Sequence, residues 1–293
     1  MKKALAILLS VLLILGVAPA ALADEYAKGE SRVTIGADLS NSQREQVYRD
    51  FGIEQGEVPE LTVTNAEERA YLEGIVSERK IGHKAISCAY ITVLDKGMGL
   101  RIDLYNINYC TKEMYENALI TAGITDARVI ISAPYAVSGT GALTGIYKAY
   151  ESITGNPLSD LAKSVGAEEL VLTGELSEYI GSEDATAIIT ELKKILDQTQ
   201  NMTDDEVRNE IKRIAKENNT TLTDKQVDQL LALCRKLEGL DVAQLQARLV
   251  DLAKGVETAG GFVKALGDAF ESVKQFFANV GAFFAKIFSR NEM

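Results

Sequence analysis

Between Thr111 and Tyr150 the chain reads TKEMYENALITAGITDARVIISAPYAVSGTGALTGIYKAY, and no other stretch limits its fold as tightly. Thr111 is placed to cap a helix through Ala122, and Gly123 supplies the left-handed residue that commonly ends one. Residues 127–133 are then almost continuously apolar, as a buried strand is, and Pro134 is expected to end it. The loop Ser138-Gly139-Thr140-Gly141-Ala142-Leu143-Thr144-Gly145 leads into a second helix that runs to about Ser152. A buried strand between two helices requires a sheet for the strand and a sheet face for the helices.

The text before it supplies the rest of that sheet. Residues 32–39 alternate well enough for a strand, and Ser40 with Gln43 forms a capping box that opens a helix to about Phe51. A short strand over 61–64 leads to a second capping box, Thr64 with Glu67, and a helix to about Ser77. Residues 86–94 and 100–107 are the strongest strand pair. Lys96-Gly97-Met98-Gly99 between them tolerates positive φ, so a hairpin is expected. These segments predict an α/β (α+β) sandwich over 32–154, a mixed sheet with helices on at least one face.

Gly155-Asn156-Pro157 closes that domain, and residues 155–258 show no convincing strand. Capping boxes at Thr203/Glu206 and Thr223/Gln226 each begin an amphipathic helix, so an all-α domain follows. Gly260-Gly261 then breaks the pattern. Phe270, Val273, Phe277, Val280, Phe284 and Ile287 lie on one stripe of an amphipathic helix over 260–290. The stripe is read in three ways: packing on the protein's own bundle, association with a partner or a second copy, or contact with a membrane surface. It is too short in uncharged residues to span a bilayer, which takes about 20.

The N-terminus has the form of a secretory signal peptide: Lys2-Lys3, an apolar run from Ala4 to Val17, and Ala21-Leu22-Ala23 as a small-x-small site. Cleavage is expected after Ala23, leaving a loose tether over 24–31 and an exported chain. A net charge of −11 argues against nucleic acid, whose phosphates are neutralised by lysine and arginine. The cysteines are Cys88, Cys110 and Cys234. Cys88 and Cys110 could form a disulfide across the expected hairpin if its loop has an odd length, and an even loop forbids the bond. Cys234, among leucines, reads as core.

Cys88-Ala89-Tyr90-Ile91-Thr92, Asn106-Ile107-Asn108, Thr121-Ala122-Gly123, Val137-Ser138-Gly139-Thr140, Ala142-Leu143-Thr144-Gly145 and Lys148-Ala149-Tyr150 carry a likeness. Together with the Leu222-Thr223-Asp224-Lys225-Gln226-Val227 helix start, they resemble the YpuA-like secreted proteins of Gram-positive bacteria, a domain of unknown function. The resemblance covers roughly Arg32 to Val250. It implies export to the cell envelope and carries over no catalytic residues.

The candidate ligand loop is Ser138, Gly139, Thr140 and Gly141, between a strand and a helix where phosphate loops occur. It lacks the Gly-Lys-[Ser/Thr] ending of a P-loop, and its glycines miss the dinucleotide spacing by one. Ser138 or Thr140 is more simply an N-cap of the helix that follows. As a nucleophile Ser138 would need a base, and the single histidine, His83, sits in an expected surface turn. No metal-ligand spacing and no cofactor motif is present. The reading is an exported, non-enzymatic binding protein that meets an envelope protein or membrane surface through its C-terminal helix. The alternative is a wall-directed hydrolase or small-ligand binder using the Ser138–Gly145 loop.

Overall fold

The structure, a computed structural model, describes residues 29–75 and 81–259. The expected signal peptide over 1–23, most of the tether over 24–31, and the stripe through Phe270, Val273, Phe277, Val280, Phe284 and Ile287 lie outside the described residues.

Five strands form one mixed sheet: β1 (Ser31–Gly36), β2 (Glu60–Val63), β3 (Cys88–Val93), β4 (Leu100–Ile107) and β5 (Ala127–Val137). Their spatial order is β2-β1-β3-β5-β4. Pairings β1–β2 and β4–β5 are parallel, and β3 runs antiparallel to both β1 and β5. The expected hairpin is therefore not formed: β5 is inserted between β3 and β4. The turn residues are used differently. Asp126, at the entrance to β5, accepts the N–H groups of Gly97 (2.8 Å) and Gly99 (2.9 Å), and its carbonyl accepts the N–H of Leu94. The loop is thus tied to the entrance of β5.

Pro134 also does not end its strand. The ladder between β4 and β5 shifts register between Tyr105 and Ile107, where Asn106 takes φ 58° and donates from Nδ2 to the Ala133 carbonyl at 2.7 Å. Such an irregularity absorbs the N–H that proline lacks, and β5 continues to Val137.

Alternation divides the sheet into two faces. Val33, Ile35, Cys88 and Ile130 pack under Val47, Tyr48 and Phe51 of α1 (Asn41–Phe51). The other face carries Ala89, Ile91, Val129 and Ile131. Against it lie α2 (Asn65–Leu72), α3 (Lys112–Ala122) and α4 (Ala142–Thr154). Beyond them come α5 (Asp160–Ile180), α6 (Ser182–Lys194), α7 (Leu196–Thr199), α8 (Asp204–Glu217), α9 (Asp224–Leu237) and α10 (Val242–Ala259). All four capping boxes read from the sequence form, at Ser40, Thr64, Thr203 and Thr223.

Gly155 does end α4 in the left-handed conformation. The apolar core nevertheless runs straight across that point, from Ile131 through Leu119, Ile146 and Tyr147 to Leu170, Ile188 and Leu230. The helices from α5 onward are not an independent layer, because α5 packs along α3.

Candidate functional site

The parallel strands β1, β2, β4 and β5 all end on one side of the sheet, and α1, α2, α3 and α4 all begin there. Ligands of α/β folds commonly bind outside such carboxyl ends. The loop Ser138-Gly139-Thr140-Gly141 is at this edge, and the protein's own side chains fill it. Tyr115 donates its hydroxyl to the Gly139 carbonyl at 2.6 Å. A Cβ on Gly139 would stand 2.6 Å from both Ile107 Cγ2 and that hydroxyl. A Cβ on Gly141 would stand 2.5 Å from Glu68 Oε1, and one on Gly145 the same distance from Thr34 Oγ1. The glycines thus admit close neighbours to the backbone.

Ser138 and Thr140 do not cap α4. The cap position falls on Gly141, with no side-chain bond, and the two hydroxyls pair with each other at 3.3 Å. Lys148, the lysine on the helix after the loop, donates to Glu67 at 2.6 Å and to the Thr62 carbonyl at 2.7 Å. His83 is exposed on the turn before Ala85. The cysteines are free and buried, Cys88 beneath α1 and Cys110 on the opposite side of the sheet. The pairing that an odd-length hairpin loop would have allowed has no hairpin to form across, and the two thiols belong to separate cores. Burial pushes the Cys88 thiol up to about 12, so it does not act as a thiolate. Among the described residues no cluster of three or more His, Cys, Asp or Glu is placed to hold a metal, and no helix is long and apolar enough to cross a membrane.

Glu68 was not singled out by sequence. It is a buried acid behind the glycine loop, with Asn65 donating to Oε2 at 3.4 Å. Burial raises its carboxyl to about 7, and the charges of Asp38 and Glu67 push the same way. The native chain therefore keeps a proton between about 4.5 and 7 that the unfolded chain has released. Stability is full below the lower value and falls as pH rises through the upper one. Glu68→Gln is expected to raise stability at pH 8 by up to about 3 kcal/mol and to leave pH 4 almost unchanged. Urea midpoints at the two pH values check this. Parallel pH dependence in both proteins would show that the carboxyl is not held protonated. Glu116, also raised to about 7 by burial, gives a residual slope of the same sign.

An open recess lies elsewhere, where the ends of α3 and the α9–α10 turn meet the head of α5. It encloses about 370 Å³, lined by Leu158, Leu161, Leu240, Leu245, Gln244 and Arg248. Leu161 is half exposed, at 50%, although it belongs to a core-facing helix. Arg248 donates to the Ile120 carbonyl at 3.4 Å and to the side-chain oxygen of Gln244. Its guanidinium forms no ion pair among the described residues. Burial lowers its pKa, an effect the nearby charge of Asp241 opposes. Asp241 sits on the rim, its Oδ1 accepting the N–H of Gln244 at 2.9 Å.

Beneath the recess is a buried polar network. Thr121 lines the floor and donates to Glu169 Oε2 at 2.5 Å. Lys193 Nζ donates to Glu169 Oε1 (2.7 Å), to the Asn117 carbonyl (3.0 Å) and to Thr121 Oγ1 (3.2 Å). Both charged side chains have no solvent exposure. Burial pushes Glu169 up and Lys193 down, and their mutual attraction opposes both shifts. The network joins α3, α5 and α6. In the sequence these residues look like the charged margin of amphipathic helices, and only the packing distinguishes them.

The family described as "Protein of unknown function (DUF1002)" matches residues 35–252. The chain is also similar to the uncharacterized protein YpuA of Bacillus subtilis (strain 168). The two are 38% identical over 285 residues, covering 93% of this chain and 97% of the relative. No solved structure matches.

Proposed function

The chain belongs to the DUF1002 family, and from that premise we propose that it is an exported cell-envelope protein that works by binding. The observation that carries this reading is the state of the carboxyl edge of the sheet. Tyr115, Glu68 and Thr34 press against the glycines of the Ser138–Gly145 loop, and Lys148 is committed to Glu67. A hydrolase would need that loop open and a base beside Ser138. The signal-peptide pattern over 1–23 supports export, and the stripe from Phe270 to Ile287 supports attachment to an envelope protein or membrane surface.

Fractionation of the mature chain with and without residues 260–293 tests the reading. The full chain is expected in the envelope fraction with Asp24 as its first residue. The shortened chain should be released from the envelope with its circular dichroism unchanged. A shortened chain that unfolds would make the segment part of the core. A first residue of Met1 on a cytoplasmic protein would remove the export reading.

A further inference from the structure

We propose that the recess between the head of α5 and the first turns of α10 binds the carboxyl-terminal end of a short aliphatic peptide, its carboxylate on Arg248. This rests on the reading of the chain as a binding protein and adds the ligand's chemistry.

The lining selects that chemistry. Leu158, Leu161 and Leu240 offer apolar surface over the buried Leu245, without an aromatic platform. At 370 Å³ the recess lies at the small end of ligand clefts, of roughly 300–1,000 Å³. Arg248 is half buried, braced by the Ile120 carbonyl and Gln244, and faces the cleft without a carboxylate bound to it among the described residues. A guanidinium in that setting matches a carboxylate in a bidentate pair. Asp241 lies seven residues earlier, at the head of the same helix, and also lines the cleft. Two turns of α-helix separate the pair, about 10 Å along the axis. A cation at one end and an anion at the other fit a zwitterion of that length. Extended chain covers at most about 3.6 Å per residue, so the span corresponds to roughly three residues. A phosphate group fits poorly, because its second charge would face Asp241.

The full mature chain is titrated by calorimetry with Ala-Leu-Leu, with its C-terminal amide, and with free leucine. The expected result is binding of the acid, with the amide at least tenfold weaker and leucine weaker still. Arg248→Gln should bring the acid down to the level of the amide. Leu161→Glu, at a half-exposed position, should weaken acid and amide together. Circular dichroism of each variant separates lost binding from lost structure. Failure of the acid to bind the native chain overturns the proposal. So does equal binding of acid and amide, and leucine matching the tripeptide overturns the peptide as the source. None of these outcomes bears on envelope fractionation, so a chain that stays envelope-bound but ignores the peptide sinks only this inference.

Discussion

Replacing Lys193 by Ala is expected to cost about 3–5 kcal/mol, the largest loss from any single side chain described above. The reason lies with the partner that stays behind. Glu169 would remain fully buried beside an empty site, with Thr121 as its one hydrogen-bond donor. An ionised carboxylate without a counter-charge in that position must either take up a proton or draw water into the core. Chemical denaturation should show a lower midpoint with the slope preserved, since the surface exposed on unfolding hardly changes. Removing the whole network should be far milder. Lys193→Met with Glu169→Leu and Thr121→Val leaves no orphaned donor or acceptor side chain, and buried pairs replaced by apolar groups are often neutral or stabilised. A loss below about 1 kcal/mol for Lys193→Ala would mean that the pair is wet, contrary to the structure.

The second large effect is expected at Gly36, the last residue of β1. A Cβ there would collide with the Ala85 carbonyl and stand 2.8 Å from Ile86 Cα. Both obstacles are backbone, and the segment is pinned. The Asp38 N–H donates to that same Ala85 carbonyl at 3.1 Å, and Ala85 N–H donates to Asp38 Oδ2 at 2.8 Å. On the other side Gly36 pairs with Val63. Overpacking against such a frame costs about 1–3 kcal/mol. For a chain of this size Gly36→Ala should lower the melting temperature by roughly 2–10 °C. An unchanged melting temperature would show that the 81–86 segment yields freely.

What the sequence discloses here is set by how local each signal is. The capping boxes are contained within four residues, and all four form where Ser40, Thr64, Thr203 and Thr223 predict them. Strand pairing is not local. Lys96-Gly97-Met98-Gly99 looks like a hairpin turn because glycine permits one, yet its N–H groups are claimed by Asp126, about thirty residues on. A clue was present in the strands themselves. Val129, Ile130 and Ile131 are buried on both faces of β5, as a central strand requires. In β4, Arg101 is exposed between buried Leu100 and Ile102, the pattern of an edge strand. Two edge-like and central-like patterns in that order already favour insertion over a hairpin.

The same reasoning explains the sites. The glycines at 139, 141 and 145 are conspicuous in sequence, but glycine beside a ligand and glycine beside a tyrosine hydroxyl are spelled alike. Glu68, Glu169 and Lys193 are inconspicuous because a charged residue in a helix is ordinarily solvated. Arg248 and Asp241 likewise read as surface charges. Only the seating of α10 against α3 turns one face of that helix into a cleft wall.

The insertion of β5 also has a consequence for assembly. β4 is made before β5, yet among the described residues β5 is its sole neighbour in the sheet. A nascent chain that has emerged only as far as Gly123 therefore owns an eight-residue strand whose partner among the described residues is not yet made. It must keep both edges of that strand idle until the next one arrives and slots in from the side. The closing event joins the sheet's two halves at once, the β1–β2–β3 ribbon and the waiting β4. Partial products ending before Val137 should accordingly be the sticky ones, because an unpaired strand edge is a template for pairing with another chain.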